Sequence, residues 1–339
     1  MPDVFDNALV EKAATNLQDL LRHAMEHTDA QALVVFDERE PLTRLLLAAY
    51  RQTLPEARFV DFDASTPEHI LAEIDTLSEG DLMIQIQSTG FRLNAFRIRI
   101  ELFKRGIKAI EHVQLERMKP DQWPTYIDAL AYDPSYYRTL GPSIQERVDA
   151  AQTVTVMCHG GTTLTFPGGM EPCKLNIGDY RKLPNTGGTF PIGEVITEAK
   201  DLYAVNGEAM VFGYAGRDHH VRIDTPFKII IRDGILTEAP DAPEEFQAVL
   251  ELIRETEPVL VREFGIGINP AIRKERILDD VTAFERQYGL HLSIGQKHGI
   301  YKKPGLNRKR TRYHIDIFID IETINLDGTL LFEHGSYTA

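Results

Sequence analysis

The sequence predicts an α/β domain with a mainly parallel sheet, followed by an α+β domain that is rich in antiparallel strands. Over residues 1–150, short apolar runs alternate with amphipathic stretches, which is the pattern of βαβ units. Beyond that region, apolar and polar residues alternate one by one between glycine-containing turns, as in antiparallel hairpins. A chain of 339 residues suits two domains of ordinary size. We place the boundary near residues 145–152, which gives a Rossmann-like domain over 1–150 and an α+β domain over 151–339.

The first domain consists of four predicted helix–strand pairs. Helices are expected near 6–28, 41–54, 67–78 and 93–105, and the strands that follow them at 32–37, 57–62, 81–87 and 107–112. The stretch after the first strand is F-D-E-R-E-P, which lacks the glycines of a G-x-G-x-x-G turn. We therefore do not expect a dinucleotide site of the Rossmann type.

The second domain begins with a predicted hairpin around Gly160-Gly161. Further strands are expected at 209–215, at 227–239 with a turn at Asp233-Gly234, at 290–294 and at 313–321; helices are expected near 243–257 and 275–288. Antiparallel strands interrupted by helices are typical of an α+β domain.

Composition narrows the classes of partner and location. The formal net charge of −14 argues against a nucleic acid or an anionic membrane as the main partner. No apolar run approaches the roughly 18 residues that a membrane span needs, and the N-terminal residues do not resemble a signal peptide. Two cysteines cannot build a disulfide framework, so we expect a cytoplasmic protein.

Acidic and imidazole side chains enter otherwise apolar strands at several places. They are Glu194 after a Pro-x-Gly turn, Glu263 beside two glycines, His291 beside serine, and His314 with Asp316 in Y-H-I-D. Small neighbours leave space above a sheet, which suits a metal and its substrate. Mixed oxygen and nitrogen ligands suit one or two divalent ions of the Zn, Co or Mn kind. Taken singly, Glu194 can be a surface acid or helix start, Glu263 an acid paired with a nearby arginine, and His291 a hydrogen-bonded histidine. His314 and Asp316 can be the solvent face of an edge strand.

The order of these stretches resembles the aminopeptidase T and aminopeptidase S family of metallo-exopeptidases. The carrying segments are F-P-I-G-E-V-I-T, E-F-G-I-G-I-N-P, H-L-S-I-G-Q-K-H and Y-H-I-D, all between residues 180 and 330. The resemblance implies that Glu194, Glu263, His291, His314 and Asp316 hold two metal ions, which makes 151–339 the metal-binding catalytic domain. It also implies release of N-terminal residues from peptides, or cleavage of a small amide, by a homodimer.

Two features depart from that family. The family has a catalytic tyrosine seven residues after the first histidine, where this chain has His298, with Tyr301 three residues further on. Either side chain is a predicted catalytic group. The loop 302–312 is rich in lysine and arginine, and is either a solvated loop or an anion clamp in which Lys303 and Arg312 contact the substrate.

Two alternatives to a hydrolase stay open. The closing strand also resembles 2,5-dihydroxypyridine dioxygenase, a distant relative that holds a single Fe(II) through two histidines and an aspartate; that relative has a histidine at the position of Glu263. The second alternative is a non-catalytic peptide-binding protein of a biosynthetic pathway.

Overall fold

The structure is a computed structural model that describes residues 6–93, 97–306 and 311–338. Two compact units make up the chain. The first contains the chain up to Tyr137 together with Gly178–Ile192 and Glu275–Ala283, and the second contains the remaining residues. The single predicted boundary near residues 145–152 stays a prediction.

The first unit is built around a five-stranded parallel sheet. The strands lie in the order Arg58–Asp61, Ala32–Phe36, Leu82–Ile86, Lys108–His112 and Gly187–Phe190. The helices are Asn7–His23, Pro41–Thr53, Pro67–Asp75, Ile98–Lys104 and Trp123–Ala129, with 3₁₀ turns at Leu115–Arg117 and Pro120–Gln122. Local chemistry fixes their starts: the Asp6 carboxylate accepts from the Ala8 N–H, and Thr66 caps the helix that begins at Pro67. The predicted α/β character of this region is confirmed.

A histidine is enclosed in the core of the first unit. His112 is completely buried, with its Nε2 2.8 Å from the Tyr50 hydroxyl and its Nδ1 2.8 Å from the Tyr126 hydroxyl. Burial lowers the pKa of His112 to about 3, because the charged ring would lose its hydration. The ring is therefore neutral at physiological pH, and both of its nitrogens have partners.

The second unit contains a large antiparallel sheet, as the sequence predicts. Its strands lie in the order Ser336–Tyr337, Thr329–Glu333, Ile321–Leu326, Thr153–Cys158, Thr163–Pro167, Asn206–Ala215, Ile315–Ile319, Gly289–Ile294, Val261–Gly267, Glu194–Glu198 and Lys174–Asn176. A side branch adds Val221–Arg232, paired with Asn206–Ala215, and then Ile235–Glu238. The other helices are Pro134–Ala150, Glu244–Arg254, Val281–Phe284 and the 3₁₀ turn Leu202–Ala204.

The helix predicted near 275–288 is wrong in extent, because only Val281–Phe284 is helical. Backbone pairing with a distant segment replaces the helix beyond this point. The Arg286 carbonyl accepts from the Asn269 N–H, and the Tyr288 N–H donates to the Ile272 carbonyl. These long-range bonds satisfy the backbone groups that a continued helix would have paired locally.

Candidate metal centre

Neighbouring strands of the large sheet bring the predicted ligands to one face. Directly opposed residues of an antiparallel pair project from the same face. Gly265 lies opposite His291, and Gly267 lies opposite Glu194. Since side chains alternate along a strand, Glu263 projects from the same face as the two glycines. The register therefore gathers Glu194, Glu263 and His291 above the sheet.

The strand Ile315–Ile319 extends this face. Asp316 lies opposite Ser293, which is two residues from His291 and shares its side of the sheet. His314 immediately precedes the strand, and its Nε2 lies 3.2 Å from Asp316 Oδ1. All five predicted ligands are therefore carried by, or adjoin, adjacent strands.

Glycines make room for the histidine ring. A Cβ at Gly265 would lie 2.0 Å from Cε1 and 2.2 Å from Nε2 of His291, far inside contact distance. A Cβ at Gly267 would lie 1.8 Å from the Gln287 carbonyl oxygen. Only glycine fits at either position, which explains the E-x-G-x-G spacing of this strand.

The Glu263 carboxylate lies between two histidines. Its Oε1 is 3.3 Å from His291 Nε2, and its Oε2 is 3.1 Å from His298 Nδ1. The same His291 nitrogen is also 3.3 Å from Glu194 Oε1. The Glu263 backbone N–H donates to Ser293 Oγ at 3.0 Å, which fixes the strand at this point.

Potential metal ligands form three overlapping groups among the described residues. Within each group the ligand atoms lie within 4.8 Å of one another. The groups are Glu194, Glu263 and His291; Glu263, His298 and His314; and Glu285, His291 and Asp316. Each of the five predicted ligands belongs to at least one group, and Glu263 and His291 each belong to two.

The charges of the cluster shift the ionisation of its members. Burial lowers the pKa of His291, but the hydrogen bond with Glu263 and the charge of Glu194 outweigh it and raise the pKa to about 9. Burial also lowers the pKa of His314, which the charge and hydrogen bond of Asp316 raise to about 10. Burial opposes ionisation of Glu263, yet its hydrogen bonds with histidines hold its pKa well below the ordinary range.

Two cluster residues, Glu285 and Arg286, were missed by the sequence reasoning. Arg286 Nη1 lies 2.9 Å from Glu194 Oε2 and forms a close ion pair with Glu285. Burial raises the pKa of Glu285 to about 8, although Arg286 opposes the shift. Their sequence context gave no signal, because a charged pair in a predicted amphipathic helix is typical of a solvated face.

His298 and Tyr301 are in direct contact with each other. Their rings stack with centroids 5.4 Å apart, and His298 also stacks on His314 at 6.0 Å. The Tyr301 hydroxyl donates to the carbonyls of Pro172 and Ile196 at 2.7 and 3.0 Å. The ring of Tyr301, and not its hydroxyl, therefore faces His298. The catalytic role predicted for Tyr301 stays a prediction.

The structure describes only part of the basic loop, since residues 307–310 lie outside the described ranges. Lys303 Nζ contacts Glu171 Oε1 at 2.5 Å and the carbonyls of Ala199 and Lys200 at 2.8 Å. Arg312 is exposed, and its backbone N–H donates to Glu257. Their predicted contacts with substrate stay predictions.

Glu257 is a second residue that the sequence reasoning missed. Its buried carboxylate accepts from the N–H groups of Gln296, Arg312 and Tyr313, at 2.8, 2.9 and 3.2 Å. One side chain thus joins the two ends of the segment that carries His298.

The donor set fits divalent ions. Glu194, Glu263, Glu285 and Asp316 bring four carboxylates together, beside the guanidinium of Arg286 and the imidazoles whose pKa they raise. Among the described residues, nothing hydrogen-bonds His291 Nδ1 or His298 Nε2, although both are buried. Buried carboxylates need protons or cations, and buried unsatisfied nitrogens call for a missing partner. Carboxylate and imidazole ligands without thiolate suit Zn, Mn, Co or Fe(II).

A cavity of about 210 Å³ adjoins the centre at His298. Its lining consists of Arg262, Gln296, His298, Tyr301, Lys302, Lys303, Leu306 and Thr311. Because His298 Nδ1 contacts Glu263 while the same ring lines the cavity, a molecule bound there would lie beside the ligand groups.

Comparison with known proteins supports the fold. No family model and no curated protein matches the chain. A solved structure of 2,5-dihydroxypyridine dioxygenase from Pseudomonas putida KT2440 matches with a TM-score of 0.67 and 15% identity, over 99% of this chain and 98% of that one. Wild-type AmpT from Thermus thermophilus matches with a TM-score of 0.60 and 14% identity, over 98% and 100%. The chain therefore shares the fold of an aminopeptidase and of a dioxygenase. Among the described residues, no helix combines the length and apolar character needed to cross a bilayer.

Proposed function

We propose that the chain is a metal-dependent hydrolase that cleaves an amide bond of a peptide or small amide. The carrying observation is the position of Glu263, which two potential ligand groups share and whose two oxygens face different histidines. Two-metal hydrolases hold their ions about 3.5–4 Å apart, and a carboxylate shared in this way could contact both. The fold shared with AmpT is consistent with this assignment.

The proposed ligands are the five residues expected from the sequence. Glu194, Glu263 and His291 would hold one ion. His314 would hold the second with Glu263, which shares a potential ligand group with it, and with Asp316, whose Oδ1 lies 3.2 Å from His314 Nε2. Bound divalent ions of the Zn, Co or Mn kind supply an activated water and polarise the amide carbonyl.

His298 is the proposed acid–base group. Its Nδ1 faces Glu263, which orients the ring as a carboxylate orients the histidine of a catalytic pair. Its Nε2 is buried without a hydrogen bond among the described residues and is available to carry a proton. The Tyr301 ring stacks on the face of the His298 ring and would keep it in this orientation.

Metal loading and amide hydrolysis test the proposal together. Purified protein is expected to retain two equivalents of Zn, Co or Mn by elemental analysis and to release the amine from peptides or aminoacyl anilides. Glu263→Gln should lose both metal and activity. For His298→Ala, retained metal with lost activity supports the acid–base role, whereas lost metal would make His298 a ligand instead. A wild-type protein that binds no metal would refute the proposal.

A second function is favoured by one specific group. Glu263, His298 and His314 form a set of two histidines and one carboxylate, which is also the ligand set of Fe(II) oxygenases. The fold match with a dihydroxypyridine dioxygenase points the same way. Oxygen uptake by the Fe(II)-loaded protein with a dihydroxylated aromatic substrate, without cleavage of amides, would establish this function in place of hydrolysis.

Assembly and location belong to the same proposal. The resemblance to aminopeptidases T and S implies a homodimer, and the cysteine content favours the cytoplasm. Light scattering of the purified protein tests the first expectation, and cell fractionation tests the second.

A further inference from the structure

The cavity beside His298 has an unusual charge for this protein. Three of its eight lining residues are cationic, namely Arg262, Lys302 and Lys303, and no carboxylate lines it among the described residues. The chain as a whole carries a net charge of −14. The cavity therefore concentrates cations in a chain whose net charge is negative.

Two of the three cations are paired with acids that do not line the cavity. Arg262 Nη2 lies 2.8 Å from Glu198 Oε2, with both side chains buried, and Lys303 Nζ lies 2.5 Å from Glu171 Oε1. Lys302 is exposed, and no acidic partner is found for it in the described ranges. The Lys302 ammonium therefore forms no ion pair among the described residues and is available to contact a ligand.

The position of the cavity connects it to the reacting centre. His298 is 5% exposed, lines the cavity and has an Nε2 without a hydrogen bond among the described residues. A volume of about 210 Å³ corresponds to roughly seven water molecules, which is room for a short chain and a terminal polar group. The cavity can therefore hold one end of a small substrate whose other end reaches the ligand groups.

We propose that this cavity binds the free carboxylate of an acidic amide substrate, with Lys302 making the direct contact. A substrate ammonium would be repelled by the same lysine, whereas lysine binds carboxylates by charge-assisted hydrogen bonds. The inference rests on the proposed hydrolase and narrows its substrates to amides that carry a carboxylate near the scissile bond.

Binding of two matched probes tests the inference without relying on turnover. N-acetylglycine and N-acetylglycinamide differ only in that the first carries a carboxylate and the second a neutral amide. Calorimetry on the zinc-loaded protein should show about tenfold or more tighter binding of N-acetylglycine, the effect of one hydrogen bond to a charged group. Lys302→Glu should abolish this preference, while the control Lys182→Glu, at an exposed lysine of the other unit, should preserve it.

The zinc-free protein separates the cavity from the metal ions. A preference that persists without zinc supports the cavity, whereas one that disappears would assign the carboxylate to an ion and overturn the inference. Equal binding of both probes to the wild type, or an unchanged preference in Lys302→Glu, would also overturn it. A protein that keeps the preference but hydrolyses no amide would refute the proposed hydrolase and leave the anion site standing.

Discussion

Substitution of Gly265 by alanine should displace the proposed ligand His291 while leaving every proposed ligand side chain in the sequence. The two residues are directly opposed on adjacent strands. The added Cβ would lie 2.0 Å from Cε1 of the imidazole, where carbon atoms normally approach to about 3.5 Å. The ring would have to withdraw by about 1.5 Å, and it is fully buried, so it cannot turn out into solvent.

The expected cost follows from this displacement. Overpacking of a tight interior costs about 1–3 kcal/mol in the free energy of unfolding. A reacting group that is misplaced by about 1 Å can lose on the order of 100-fold in rate. We therefore expect Gly265→Ala to weaken metal binding and to lower amide hydrolysis by about 100-fold, while the protein stays folded.

Urea unfolding and zinc titration of a double-mutant cycle measure the effect. In the background of His291→Ala the clash is removed, so Gly265→Ala should there cost little further stability. Gly299→Ala is the control, because a Cβ at Gly299 would meet no atom within 4 Å. Wild-type zinc affinity in Gly265→Ala, or additive costs in the cycle, would refute the placement of His291.

Three further predictions concern residues around and beyond the centre. Glu257→Gln should lower the free energy of unfolding by about 1–3 kcal/mol and weaken zinc binding, because it loosens the segment that carries His298. An unchanged urea midpoint together with an unchanged zinc affinity would contradict this. The pKa of His112 is about 3 in the folded state and about 6.5 in the unfolded state, so the free energy of unfolding should fall by about 3 kcal/mol between pH 7 and pH 4. The urea midpoint of His112→Gln should fall less over the same range, and an equal fall would show that His112 is not the titrating group. Arg286→Gln should lower the free energy of unfolding by about 3–5 kcal/mol, because it leaves Glu194 with less compensating charge. Saturating zinc should restore part of the lost melting temperature, and a melting temperature that does not respond to zinc would argue against an ion at Glu194.

Most helices and strands can be predicted from the sequence because their signals lie within the elements themselves. Asp6 and Thr66 mark helix starts, and residue-by-residue alternation identifies the strands of the second region. The strand Gly187–Phe190 could not be predicted from its own residues, since a short glycine-rich segment has no strand periodicity. It pairs with Lys108–His112, and such pairing depends on the whole chain.

The candidate centre is predictable to the extent that it lies on strands. Alternation places Glu263 and His291 on polar faces, and the register that joins them follows from the burial of their apolar neighbours. Arg286 and Glu257 could not be found in this way, because their partners are distant in sequence and their own segments have no β alternation. The Tyr301 hydroxyl illustrates the same limit, since backbone carbonyls that bind it are over 100 residues away.

Arg286 determines which side of Glu263 should receive an ion first. Its guanidinium contacts the Glu194 carboxylate, so an ion bound in the group of Glu194 would be repelled by a nearby positive charge. Among the described residues, no lysine or arginine forms an ion pair with Glu263, the carboxylate of the group that contains His314. We therefore expect stepwise loading in a cobalt titration followed by absorbance, with the tighter equivalent removed by His314→Gln and the weaker one by Glu194→Gln. Loss of the tighter equivalent in Glu194→Gln would show that Arg286 moves away when metal binds and exerts no control over the order of loading.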